Sequence, residues 1–240
     1  MSQAVPAAAL TLVEPVQRET LNDRVYGELR KLIISGGFAP GVGFTLRSLS
    51  GALGTSEMPV RDAIRRLVTE GGLEVLPNRK VAVPSVSLAD YEDILQVRLL
   101  LEGEAAERAA ASISDAELAQ LAVLQDSLRA QKSPTKADIA AANQQFHYVI
   151  YGAAHSPLLL SMIESLWLRS GPTLHHLPIA MSHVEIIVQH GRVLAALRAR
   201  DRQATRDALV ADLNAGGERI LSELRKLEAG SGRRQTAATR

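Results

Sequence analysis

Residues 45–71 read TLRSLSGALGTSEMPVRDAIRRLVTEG. Thr45 caps a short amphipathic helix over 46–53, residues 54–56 make a three-residue turn, and a second helix begins at Glu57 with Ser56 as its cap. Pro59 falls in the tolerant first turn of that helix, where a missing N–H costs no hydrogen bond. Upstream, Thr20 with Asp23 opens a helix near 21–35 that stops at Gly36–Gly37, and FAPGVGF (38–44) is turn material. Downstream, Leu73, Val75, Val81 and Val83 alternate about Pro77–Asn78 and predict a small hairpin. Three helices closed by a hairpin, the last two joined by a tight turn, make a winged helix-turn-helix.

The rest of the chain follows a different pattern. Ser87 with Asp90, Ser114 with Glu117 and Ser182 with Glu185 are capping boxes, and Ser133–Pro134 and Ser156–Pro157 are proline-type helix starts. They predict helices over 88–111, 115–131, 135–153, 157–177 with a break near Gly171–Pro172, 183–199 and 202–227. No run of period two interrupts them. The fold class is therefore mainly α: an N-terminal winged helix-turn-helix followed by an all-α bundle of six or seven helices. The expected division is a disordered leader (1–18), the winged domain (19–84), a linker (85–90), the bundle (91–227) and a disordered tail (228–240).

Composition narrows the function. The 240 residues contain no cysteine, which removes disulfides, thiolate metal sites and thiol nucleophiles and suits a reducing cytoplasm. Aromatics are 3% of the chain, against 46% hydrophobic residues, so the core is aliphatic and suits packed helices. No stretch of about 18 uncharged apolar residues predicts a membrane span. The net charge of +1 excludes a histone-like cationic coat but leaves room for a local basic face.

In a winged helix-turn-helix the second helix of the pair enters the major groove and presents its N-terminal residues to base edges. Those residues are Ser56, Glu57, Met58 and Arg61; Arg47 lies on the preceding helix, and Arg79 and Lys80 at the wing tip. Arg61 can fork onto guanine, or pair with Glu57 one turn away. In the bundle, Asn143 and His147 share a helix face four residues apart, while His190 and Asp212 sit among aliphatic neighbours. Such residues build metal sites inside bundles, although a single His on an apolar face is usually a hydrogen-bonded core residue. Arg98 can face a ligand or pair with Glu102, and Arg169 is a second cationic candidate.

The stretches RVYGELRKLIISGGFAPG, LRSLSGALGTSEMPVRDAIRRLVTEGGLEVLPN and VAV together resemble the DNA-binding domain of the GntR family of bacterial transcription regulators. The helical half resembles the FCD effector domain of that family's FadR-like branch. The resemblance implies double-stranded operator DNA as partner, contacted through Arg47, Ser56, Glu57, Met58, Arg61, Arg79 and Lys80. Glu57 departs from the basic residue usual at its position. It implies either an altered operator, through acceptance from a cytosine amino group, or only a favourable charge at the helix N-terminus. Lys80 replaces the usual wing-tip glycine.

Metal-binding FCD members use an Asp-x-x-x-His helix and two further histidines. Those positions fall on Asn143, His147, His190 and Asp212, so two match and a carboxylate has moved from the first ligand helix to the last. The implied cofactor is a divalent metal: zinc, with nickel or manganese as substitutes. The implied effector is a small organic or sugar acid near Arg98 and Arg169. Together these features describe a cytoplasmic homodimeric repressor rather than an enzyme, since no unassigned core carboxylate offers a general base. A ligand-independent DNA-binding dimer with a vestigial metal site is the alternative.

Overall fold

The computed structural model describes residues 20–77, 80–176 and 179–238. Helix α1 (Leu21–Ile34) opens with a reciprocal capping box: the Thr20 hydroxyl accepts from the Asp23 N–H, and the Asp23 carboxylate accepts from the Thr20 N–H. Its buried face is Val25, Leu29, Ile33 and Ile34. Helices α2 (Leu46–Leu53) and α3 (Glu57–Thr69) form the helix-turn-helix, and Gly54 closes α2 in the left-handed region at φ 63°. Ser56 occupies the cap position of α3, but its side chain makes no cap hydrogen bond.

The wing contains more than a hairpin. Strands β1 (Gly43–Phe44), β2 (Glu74–Val75) and β3 (Val81–Ala82) form an antiparallel sheet of order β1-β3-β2. Gly43 and Glu74 flank Ala82 on opposite sides. The turn-like segment 38–44 thus supplies a strand, which two residues are too few to announce through alternation.

The bundle consists of α4 (Leu88–Ser112), α5 (Asp115–Ala130), α6 (Lys136–Ala153), α7 (Pro157–Ser170), a 3₁₀ turn (Gly171–His176), α8 (Ile179–Arg198) and α9 (Arg202–Ala238). Four boundaries differ from the sequence expectation. Ser87 already caps α4, so the extended connection between the halves is only residues 83–87. Thr135 with Asp138, not Ser133–Pro134, caps α6. Helix α8 starts at Ile179, which places Ser182 inside it rather than at its cap. Helix α9 continues to Ala238 through the region expected as a disordered tail from 228. That segment contains no proline to end the helix and has good helix formers between its glycines.

The two halves share one core. Ile33 and Ile34 of α1 belong to the same buried cluster as Ile163, Trp167 and Leu168 of α7. Gly171 sits where an added Cβ would lie 2.6 Å from both the Ile33 carbonyl oxygen and the Ile34 Cα, so only glycine permits this approach. Arg30 crosses the same seam, donating to the Glu164 carbonyl at 3.3 Å and facing its carboxylate at 3.6 Å. A second cluster, Tyr91 and Leu95 with Ile220, Leu221 and Leu224, closes α4 onto α9.

Candidate functional site

The reading face is set by the period of α3. Pro59, Val60, Ala63, Ile64 and Leu67 are buried against the domain core, which leaves Glu57, Met58, Arg61, Arg65 and Arg66 on the outer side. Met58 keeps 64% of its surface and stands on the same outer side. Arg47, Ser56 and Lys80 are exposed as well. Arg61 lies 3.8 Å from Glu57, a loose pair with both side chains half-exposed. Arg66 is held differently, bonded to Glu70 at 3.0 Å and lying 3.6 Å above the Tyr26 ring. Arg79 lies outside the described residues.

Inside the bundle, α6 stacks Asn143, His147 and Tyr151 at successive turns of one face. His190 from α8 and Asp212 from α9 meet them, and the His147, His190 and Asp212 ligand atoms lie within 4.8 Å of one another. His190 Nε2 donates to Asn143 Oδ1 at 3.1 Å, and the Phe146 ring stacks on His190 at 3.9 Å. Burial pushes the His190 imidazole down to about 3, so the ring is neutral. Burial also works to raise the Asp212 carboxyl, but the adjoining His147, His190 and Arg98 together hold the group below its usual range.

A polar chain behind His147 fixes its protons. Tyr151 donates its single hydroxyl proton to buried Glu102, which itself pairs with Arg98 at 2.5 Å. The Tyr151 oxygen must then accept from His147 Nδ1, 2.8 Å away. In a neutral imidazole this leaves Nε2 without a proton, and Nε2 faces Asp212 Oδ2 at 2.9 Å. Two acceptors at that distance require either a proton or a cation between them. Two imidazoles, one carboxylate and the Asn143 oxygen are a donor set that fits zinc or a neighbouring divalent metal.

A cavity of about 130 Å³ opens beside this cluster. Asn143, His147, Asp212 and Arg98 all line it, so the structure brings together the four predicted metal-site residues and one of the two predicted effector residues. Arg98 is not available as a bare cation, because Glu102 neutralises it and raises its pKa against the desolvation that works to lower it. Arg169 is elsewhere: its guanidinium packs against the backbone of Gly71, at the seam between the halves, because α7 turns that residue toward the winged domain. Lys136 and Arg219 line the cavity instead. Neither was among the candidates drawn from the sequence. Glu102 and Tyr151 were missed as parts of the site, although Tyr151 follows His147 by four residues on an otherwise inward face.

A winged helix-turn-helix fused to an all-α bundle defines a class of DNA-binding regulator. Residues 21–83 match the family described as bacterial regulatory proteins, gntR family, and residues 93–215 match the FCD domain. The chain is 34% identical to the HTH-type transcriptional regulator McbR of Escherichia coli K12 over 194 residues, 79% of this chain and 88% of that protein. The structure of E. coli McbR/YncC superimposes with a TM-score of 0.81 at 31% identity, covering 86% of this chain and 99% of that one. The HTH-type transcriptional repressor RspR of E. coli K12 is 25% identical over 218 residues, 88% of this chain and 92% of that protein. The chain belongs to the GntR family and carries an FCD domain: it is a DNA-binding transcriptional regulator and not an enzyme. Among the described residues no helix is long and apolar enough to cross a membrane.

Proposed function

We propose that this regulator is a cytoplasmic homodimeric repressor whose operator binding is controlled by a small carboxylate held in a metal-containing pocket of the bundle. Operator contacts come from Arg47, Ser56, Glu57, Met58 and Arg61, with Arg79 and Lys80 on the wing. Exposure of the reading-helix residues supports this, and so does the uncommitted hydroxyl of Ser56 at the α3 cap. A dimer places two such helices one turn of DNA apart. The repressor title of RspR favours repression.

The observation that carries the metal reading is the meeting of His147 Nε2 with Asp212 Oδ2 at 2.9 Å while Tyr151 accepts from Nδ1. His147, His190, Asp212 and Asn143 would hold the ion. A bound divalent ion supplies a Lewis-acidic anchor for a carboxylate in an open coordination position. The same 2.9 Å contact favours one competing account, an imidazolium–carboxylate pair with no metal. Elemental analysis of protein grown in metal-replete medium separates them: about one equivalent of metal is expected, lost in His147→Ala. Metal-free wild-type protein overturns the metal and leaves the ion pair.

A further inference from the structure

The charges of the winged domain are unevenly matched. On α1 and α3 every carboxylate is engaged. Asp23 accepts from Thr20 in the helix cap, Glu28 pairs with Lys31, and Glu57 faces Arg61. Asp62 accepts from Asn22 of α1 at 3.2 Å, and Glu70, at the end of α3, holds both Arg66 and the Tyr26 hydroxyl. Three exposed arginines remain. The side chains of Arg24, Arg47 and Arg65 have no ion-pair or hydrogen-bond partner among the described residues. Arg47 already belongs to the reading face; Arg24 and Arg65 have no part in it so far.

These two arginines bracket the base-reading residues. Leu21, Arg24, Glu28 and Lys31 follow one another at helical spacing along a groove whose other side is Leu53, Gly54 and Thr55, the turn that leads into α3. Glu28 and Lys31 neutralise each other at one end of that groove, while Arg24 keeps its charge. Arg65 lies one turn beyond Arg61, on the side of α3 opposite its buried face. Eight residues separate it from Glu57, roughly 12 Å of helix. The major groove is only about 8.5 Å deep. When the N-terminal residues of α3 meet base edges, Arg65 is therefore level with the phosphates at the rim.

We propose that Arg24 and Arg65 form a phosphate clamp, gripping the operator backbone on the two sides of the base-reading residues 56–61. The inference rests on the proposed reading face and adds to it contacts that position the helix without specifying sequence. The guanidinium fork matches two phosphate oxygens at once, and neither arginine has to break an internal bond to present it. Each phosphate neutralised releases condensed counterions, so the clamp registers in the salt dependence of binding. A surface arginine that is merely solvated contributes nothing to that slope.

The test is fluorescence anisotropy of the full-length protein from about 50 to 200 mM KCl. The probes are a duplex that the wild type selects from a random pool and a shuffled duplex of the same length. Arg24→Gln and Arg65→Gln should each lower the slope of log K against log salt by about 1 per subunit. Both should weaken the selected and the shuffled duplex by the same factor and leave Tm unchanged. Arg24→Lys and Arg65→Lys keep the charge and should restore the slope. Arg198→Gln, which removes an exposed arginine at the end of α8, should leave it at the wild-type value. A wild-type slope in either Gln variant, or a loss confined to the selected duplex, overturns the clamp. Arg61→Ala keeps the two readings apart. If it weakens the selected duplex more than the shuffled one while Arg24→Gln and Arg65→Gln keep wild-type slopes, the clamp falls and the reading face stands.

Discussion

Two ion pairs with the same spacing show how differently the halves of this regulator use charge. Glu57–Arg61 on the reading helix and Arg98–Glu102 on α4 are both i,i+4 pairs. The first is 3.8 Å apart with half-exposed side chains; the second is 2.5 Å apart, with Arg98 11% and Glu102 0% exposed. In water the reading-helix pair gains little and can open, so both groups remain available to a partner. In the bundle neither charge can be released without stranding the other. The winged domain keeps this pair in solvent on its reading helix, whereas the bundle commits its pair to internal order.

The largest effect should come from Glu102→Gln. It strands the Arg98 guanidinium and unseats Tyr151, and should cost about 3–5 kcal/mol in chemical denaturation. Glu57→Gln should change stability by less than about 0.5 kcal/mol. Equal costs would abolish the distinction between the two pairs.

Gly171→Ala tests whether the halves are one body. Its methyl would meet the α1 backbone, and a loss of about 1–3 kcal/mol is expected. Two separate unfolding transitions in that variant would locate the damage at the seam. Arg61→Ala should leave Tm and metal content unchanged and weaken a gel shift by about 1–3 kcal/mol. Undiminished binding would remove Arg61 from the interface.

Acid should sharpen the contrast further. His190 has a folded value near 3 against an ordinary 6.5, so the folded state binds fewer protons, and this contribution is present above about pH 6.5 and lost progressively toward pH 3. Asp212, also lowered, adds a loss below its ordinary 3.8. In chelator-treated protein, His190→Asn should flatten the stability profile between pH 6.5 and 5; an unchanged slope would place the titration elsewhere. A small effect of opposite sign is expected for Gly27→Ala in α1. An added Cβ there meets nothing within 4 Å, and stability should rise by about 0.5–1 kcal/mol in a denaturant titration.

Much of this arrangement is legible in local sequence. Thr20, Ser87 and Ser114 announce their helices because a capping box is satisfied within four residues. Asn143 and His147 were recognisable as one face for the same reason, and the resemblance to FCD members directed attention to His190 and Asp212. Other features carried weaker local signals. Thr135 was overlooked beside the more conspicuous Ser133–Pro134, yet Thr135 with Asp138 makes the cap. Arg169 carried the cationic candidacy in the sequence, but α7 places it against Gly71, whereas Arg219, which the sequence reading did not single out, lines the cavity.

The sequence by itself determined the order of elements, the winged head and helical body, the amphipathic face of α3 and the family. All of these follow from hydrogen bonds and periodicities spanning a few residues. Only the tertiary structure decided which of the two i,i+4 charge pairs is buried and that His147, His190 and Asp212 meet beside a cavity. Those properties depend on groups far apart in the chain, such as Glu102 with Tyr151 and Arg98 with Asp212. Burial, which sets the strength of each charge, exists only once those groups have met.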